Sequence, residues 1–349
     1  MASVSPAGRR AIFAALIALI LVVAVLLGSP RARSGGDVIQ PLVHARMLLV
    51  GADPLATPPA DASSIPYPLT ASTLLIPLAW LPPPVLGVLV ILSAVLACRL
   101  LAAAMAPVPV WWAWLLPLAY LPLIFNLTLV QWAPPLLLAL AGGLLLERRG
   151  HPLLAGLAWL PLLAKAQLVP ILAVPLGATL LLERRWKALG AALAGWAGLL
   201  AISLALRPGW PLVWWAQTRP YTGGYSALVL AFPLLGLPLL LAALALAGLA
   251  WHRHELRLLL CALVVAASLC TPQRAIYEAT ALLLVISYLL RDLRLAGLVL
   301  AASWLILLQP LFHLAPELVI MLALYAPPLI GLWLAVLQEG RPAASSTSV

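Results

Sequence analysis

Apolar residues run along this chain in long blocks from Ala11 to Leu337, and short charged groups punctuate them. The groups fall at residues 9–10, 147–149, 183–187, 253–257 and 291–294. A helix that crosses a bilayer needs about 20 consecutive apolar residues. The pattern therefore predicts an all-α polytopic membrane bundle. Loops on the cytoplasmic side carry an excess of Lys and Arg, so the charged groups mark that side, and Arg99 and Arg341 fit it too.

Parity between these groups gives a map. The block 11–28 reads as a retained first helix, and residues 29–66 follow outside. The run 85–98 returns, 110–125 goes out and 128–146 comes back. Residues 152–182 lie between two cytoplasmic groups and form a hairpin with Lys165, Ala166 and Gln167 at its outer turn. Residues 207–224 and 271–278 fall outside. The run 295–308 goes out, 310–317 turns, and 318–337 returns. The sum is about 12 crossings of roughly the length a bilayer needs, with both termini cytoplasmic.

Two stretches of the first outer loop read as something other than spans. Residues 37–50 place Val38, Leu42, Val43, Met47 and Val50 at roughly helical spacing, as for a helix lying on the membrane surface. Residues 67–81 are apolar but short and contain Pro68 and Pro77, which suits an interfacial or re-entrant helix. The whole of 1–341 reads as one membrane domain, followed by a disordered tail, 342–349.

Composition narrows the class. Of the 349 residues 64% are hydrophobic and 9% charged, and the mean hydropathy is +1.10. A soluble surface needs about a quarter charged residues, so a soluble domain is excluded. The net charge of +10 is the loop bias just described, with no basic stripe for nucleic acid. Cys98, Cys261 and Cys270 lack CxxC spacing and read as small apolar residues. The 33 prolines gather at span ends and kinks, where the freed backbone groups need protein partners or a wet cavity.

Candidate chemistry lies among the outer charges. Lys165, at a tight hairpin turn, and Arg274, beside Pro272 and Tyr277, suit an anionic headgroup such as a lipid phosphate. The bland reading of each is a snorkelling side chain. Asp37 follows Gly35 and Gly36 where the surface helix begins. It suits an N-cap and equally a general base at the interface. No P-loop, GxSxG or HExxH occurs.

Read in order, Gly35-Gly36-Asp37, a helix ending at Gly51, Asp53-Pro54 and Tyr67-Pro68 resemble the first outer loop of glycosyltransferase family 87. The members of that family that the pattern resembles are polyprenyl-phosphate-mannose-dependent mannosyltransferases of the GT-C membrane fold. Gln131, Leu163-Ala164-Lys165 with Pro170, Arg184-Arg185-Trp186, Tyr225-Ser226 and Thr271-Pro272 before Tyr277 extend the resemblance. The chain departs from the pattern at Val130 (Gly before Gln131), Leu55 (Tyr of "DPY") and Leu69 (second Pro of "YPP").

The resemblance implies a plasma-membrane enzyme. It would move a hexose, mannose by analogy, from a polyprenyl-phosphate donor to a lipid or glycan acceptor on the extracytoplasmic face, with inversion. Asp37 would be the catalytic base, and Lys165 and Arg274 would bind the donor phosphate. Tyr67, Gln131, Tyr225 and Tyr277 would line the substrate groove. No cofactor or metal is implied beyond the donor. A transporter or lipid flippase is the alternative, which would place ionisable groups near the bilayer midplane.

Overall fold

The structure, a computed structural model, describes residues 16, 20, 23, 25, 29–30, 36–56, 67–105, 107, 109–222, 226–272, 276–312 and 315–339, without the side chains of 220–222, 277 and 311–312. Most of the expected first helix, 11–28, and the tail lie outside the described residues. The described residues are 82% helical, with no strand among them.

The elements that matter here begin with α1 (Ile39–Leu49) and α2 (Leu69–Leu75), then α3 (Pro83–Met105), α4 (Leu121–Leu129) and α5 (Ala133–Arg148). They continue as α6 (Pro152–Ala158), α7 (Val174–Leu182), α8 (Trp186–Leu206) and α9 (Trp210–Thr222). The last are α10 (Pro233–His252), α11 (Leu256–Cys270), α12 (Leu283–Leu289), α13 (Leu293–Ser303) and α14 (Ala326–Glu339).

Among the described residues four helical stretches are long and apolar enough to cross a membrane: α3, α8, α10 and Pro316–Glu339, the last ending in α14. A fifth joins them if α4 and α5 count as one bent span. In α3 and Pro316–Glu339 61% of the most apolar window is buried, against 17% in α8 and 28% in α10. The first two therefore form the core, and several leucines of α8 and α10, among them Leu193, Leu200, Leu234 and Leu241, face outward. Such an outer surface is stable in lipid, where apolar side chains meet hydrocarbon.

Around α3 the packing is local in sequence and tight. α5 runs along α3, α6 against α8, and α11 along α10. The interior is aliphatic, with Trp159, Tyr120, Tyr288 and Tyr325 its largest buried rings.

The structure redraws parts of the expected map. The outgoing run 110–125 is not one helix: a 3-10 turn at Ala113–Ala119 ends at Tyr120, and α4 starts anew. Pro117 and Pro122 lack the N–H that a continuous ladder requires. α4 then meets α5 at 117°. At 1.5 Å per residue the 9 residues of α4 reach about 14 Å, too short to cross alone.

α2 is also unlike a surface helix. All its residues except Leu74 are buried, so it packs inside the bundle. α1 buries Pro41, Leu42 and Ala45 and leaves Val43 and Val50 exposed, so its inner face is only partly the expected one. Arg46 of α1 donates to the carbonyls of Ala79 (2.7 Å) and Leu81 (2.8 Å), satisfying the chain end beyond α2.

Candidate active site

Four polar side chains from four elements converge at one end of the bundle. They are Asp37 in the turn Gly36–Val38, Gln131 between α4 and α5, Lys165 at the hairpin turn, and Glu278 in the 3-10 segment Ile276–Leu282. The Gln131 amide donates to Asp37 Oδ2. Lys165 Nζ donates to Gln131 Oε1 at 3.0 Å and lies 3.7 Å from Glu278 Oε1. Gln131, Lys165 and Glu278 are 3%, 4% and 2% exposed, and Asp37 is half-buried. Asp37 is thus the member at the accessible edge.

Local sequence explains each placement. α4 ends in a Schellman motif: Gln131 N–H donates to the Asn126 carbonyl (2.9 Å) and Val130 N–H to that of Leu127 (3.2 Å). Val130 holds the left-handed position this turn requires, at φ 50° and ψ 60°. Glycine is the usual occupant there, and a β-branched residue is strained. Gly36, also left-handed at φ +57°, stacks on that turn. A Cβ at Gly36 would come within 2.3 Å of the Leu129 carbonyl oxygen and 2.4 Å of Val130 Cβ. The close approach of these two turns is what brings Asp37 to Gln131.

Glu278 is fixed from the other side. Asn126 Nδ2 donates to Thr280 Oγ1 at 2.5 Å, and Tyr120 Oη to the Ala279 carbonyl at 3.3 Å. Thr70 of α2 donates to the Leu163 carbonyl at 3.1 Å, tying this short buried helix to the Lys165 turn.

A buried ammonium far from water is costly unless charges and hydrogen bonds meet it. Asp37 and Glu278 supply those charges. Gln131 accepts from the ammonium with its oxygen and donates to Asp37 with its nitrogen, so its amide is polarised and held in one orientation. The carboxylate of Asp37 is thereby fixed in rotamer while remaining the exposed end of the chain. The N-cap position of α1 falls one residue later, on Val38.

A second polar contact ties down the same face. Arg207, at the end of α8, donates through Nε to Asp53 Oδ1 at 2.6 Å. Asp53 also accepts from Leu55 N–H (2.9 Å), and Gln217 of α9 donates to the Leu55 carbonyl (3.0 Å). The Arg207 guanidinium holds the Asp53 carboxyl below the usual carboxylate range. Leu55, Leu69 and Trp210 form a small apolar cluster beside them. Two of the departures from the family pattern, Leu55 and Leu69, thus pack together.

Of the other sequence candidates, Tyr67 lies beside the cluster, its ring 6.3 Å from that of Trp132, the neighbour of Gln131. Arg274 and Tyr225 lie outside the described residues, as does the side chain of Tyr277. Glu278 went unassigned in the sequence, although a lone acid in an apolar stretch implies a partner. Trp132, with its buried indole N–H unpartnered among the described residues, gave no signal beyond adjacency to Gln131.

Comparison with known proteins gives one match. A sequence model of glycosyltransferase family 87 matches residues 66–299. No curated protein and no solved structure matches the chain.

Proposed function

From the premise that the chain belongs to glycosyltransferase family 87, and is thus a membrane glycosyltransferase, we propose that it transfers a hexose, mannose, from a polyprenyl-phosphate donor to a lipid or glycan hydroxyl on the extracytoplasmic face. The observation that carries this reading is the Asp37–Gln131–Lys165–Glu278 cluster, with its one accessible carboxylate at Asp37. Its place at the end away from the arginine-rich loops supports the extracytoplasmic assignment, as does the bias of basic residues toward the cytoplasm. The proposal includes a multi-pass GT-C arrangement in the plasma membrane, and the same bias supports its having both termini cytoplasmic. Cysteines placed at Ser34 and Ser346 test it: outside labelling at position 34 alone is expected, and labelling at 346 alone overturns it.

In the proposed step the acceptor oxygen attacks the anomeric carbon from the face opposite the phosphate. The C1–O bond to the phosphate breaks, and its electron pair leaves with the polyprenyl phosphate. The acceptor proton passes to the Asp37 carboxylate, and the configuration at C1 inverts. Lys165, oriented by Gln131 and Glu278, and Arg274 offset charge developing on the leaving phosphate. Burial strengthens the part of Lys165, because a charge acts more strongly where water is excluded. Tyr67, Gln131, Tyr225 and Tyr277 line the groove. No metal takes part in this scheme.

A decisive experiment incubates purified protein with polyprenyl-phosphate-mannose and membrane extract. A mannosylated product is expected. Turnover of another polyprenyl-phosphate hexose in its place would overturn mannose, and no turnover of any would overturn the donor class. The flippase reading is set aside, because the family is one of transferases.

A further inference from the structure

α5 begins beside Gln131 and ends at Arg148, about 22 Å away at 1.5 Å per residue. At that far end lies a cavity of about 600 Å³, and Arg148, Arg185, Arg257 and Arg291 line it. They come from four different places in the chain: the end of α5, the turn before α8, the first turn of α11, and the loop between α12 and α13. The acids in the lining are Glu147 and Glu255, so four guanidiniums meet two carboxylates there. Met105, Leu144, Leu256 and Leu260 supply an apolar wall.

Two of the four arginines are paired with acids. Arg185 lies 3.2 Å from Glu147, and Arg291 2.5 Å from Glu339. Glu255 is taken up by the Tyr288 hydroxyl at 2.5 Å. Arg148 and Arg257 are placed differently. Arg148 donates to the carbonyls of Ala103 (3.1 Å) and Ala104 (3.0 Å), and Arg257 to that of Met105 (3.2 Å). Both therefore converge on the C-terminal end of α3, and among the described residues no carboxylate lies within ion-pair distance of either. The helix end supplies only about half an elementary charge to the pair.

We infer that this cavity binds the phosphate of an anionic lipid, bridging Arg148 and Arg257, with a tail against Met105, Leu144 and Leu256. Each guanidinium uses part of its donor fork on the α3 carbonyls and has others left for phosphate oxygens, whose geometry the planar fork fits. The apolar wall is what a free phosphate does not need and a lipid does. The cavity lies at the end where the basic loops gather, the side whose leaflet carries anionic lipid. The lipid would fasten the inner ends of α3, α5 and α11 while the transfer cluster works at the other end. The inference stands apart from the reading of Asp37, which concerns neither these residues nor this leaflet.

The test uses the full-length protein in neutral detergent, with lipid binding followed by native mass spectrometry and by thermal shift. The probes are dioleoyl-phosphatidylglycerol, dioleoyl-phosphatidylcholine and glycerol phosphate. Phosphatidylglycerol is expected to bind roughly tenfold more tightly than phosphatidylcholine, and the double variant Arg148→Gln, Arg257→Gln to lose that preference. Arg149→Gln and Arg253→Gln, which remove basic groups outside the lining, are expected to keep it. If the double variant does not fold, Leu256→Trp, which fills the cavity and leaves the arginines, is expected to weaken phosphatidylglycerol to the same extent. Equal binding of the two lipids, or an unchanged preference in both cavity variants, overturns the proposal. Displacement of phosphatidylglycerol by glycerol phosphate at equal concentration also overturns it, since the ligand would then need no tail.

Discussion

Lys165 and Arg257 are both cations on apolar segments, at opposite ends of the bundle, and the chain treats them differently. Lys165 is buried among Asp37, Gln131 and Glu278, each a side chain with a defined partner. Arg257 is half-buried at the rim of a cavity, and its recorded partner is a neutral carbonyl. The first arrangement is preorganised: charge is matched within the protein, and one carboxylate is left at the edge to meet a substrate. The second keeps positive charge in surplus, which suits holding an anion from outside. Both ends are rich in ionisable groups, so charge density does not separate them. What separates them is how each cation is held. Side-chain partners fix Lys165 in place for the donor phosphate of the proposed scheme, whereas among the described residues Arg257 is held by a carbonyl alone.

The largest expected effect is at Asp37. Asn retains the shape and can still meet the Gln131 amide through its oxygen, but it cannot take a proton from the acceptor. A positioned general base contributes about 10² to 10⁴ in rate. Asp37→Asn should therefore fold and bind donor while transfer falls by at least about a hundredfold. Turnover of polyprenyl-phosphate-mannose measured beside donor binding checks this. Near-normal turnover would reduce the cluster to a structural device and erase the contrast with the arginine end.

Next in size is the buried ion pair. Removing one partner of such a pair leaves a charge in a dry interior, at a cost of about 3–5 kcal/mol. Lys165→Met and Glu278→Leu should each lower the thermal unfolding temperature strongly, and the double variant should recover much of the loss. Additive losses in this double-mutant cycle would show that the two residues do not act as a pair. The corresponding neutralisation of Arg257 should cost far less, because no buried carboxylate is left behind.

How much of this was legible in the sequence differs between the parts. Long apolar blocks and charged punctuation announce a helical membrane bundle, because lipid demands internally satisfied backbone. Lys165 stands out as a charge at the turn of an apolar hairpin and Asp37 as an acid at a helix start, whereas Gln131 enters only through the family resemblance. Continuity of the helices was not legible. Where nearly every residue is apolar, periodicity carries no signal, so the break at Tyr120 goes unseen and the reversal expected after residue 125 falls instead at Val130. Glu278 illustrates the other limit. It lies 113 residues beyond Lys165, and hydropathy says that each needs a partner without saying which. The pairing comes from Asn126–Thr280 and Tyr120–Ala279 contacts that no local pattern encodes.

A smaller effect is expected at Asp53 and Arg207, which tie the first loop to the end of α8. The pair is partly exposed, and such pairs contribute about 0.2–1 kcal/mol. Because the folded-state carboxyl is held below its ordinary value of 3.8, its contribution is fully present above that value. It is lost as pH falls through the lower, folded value. Asp53→Asn should thus lower the unfolding temperature modestly at pH 7, and the difference from the parent protein should shrink on acidification below about pH 4. A difference independent of pH in that window would leave the carboxylate charge without a part in the contact.

The smallest effect on transfer is expected at Val130, where opposing terms act on stability alone. Its left-handed backbone costs an L-residue about 1–2 kcal/mol, a strain that glycine would relieve. The same side chain is fully buried, and removing it forfeits about 1.5–3 kcal/mol of burial. Glycine also gives up roughly 0.5–1 kcal/mol to the freedom of the unfolded chain. Together these terms give Val130→Gly a net cost of about 1–2 kcal/mol. Val264→Gly is the control, since that valine is equally buried but sits within α11, where glycine relieves nothing. Val130→Gly is expected to cost about 1–2 kcal/mol less than the control, with transfer unchanged because the Schellman turn still aims Gln131 at Asp37. Equal costs for the two would mean that the turn beneath Asp37 carries no strain, and that Val130 replaces the family's glycine without penalty.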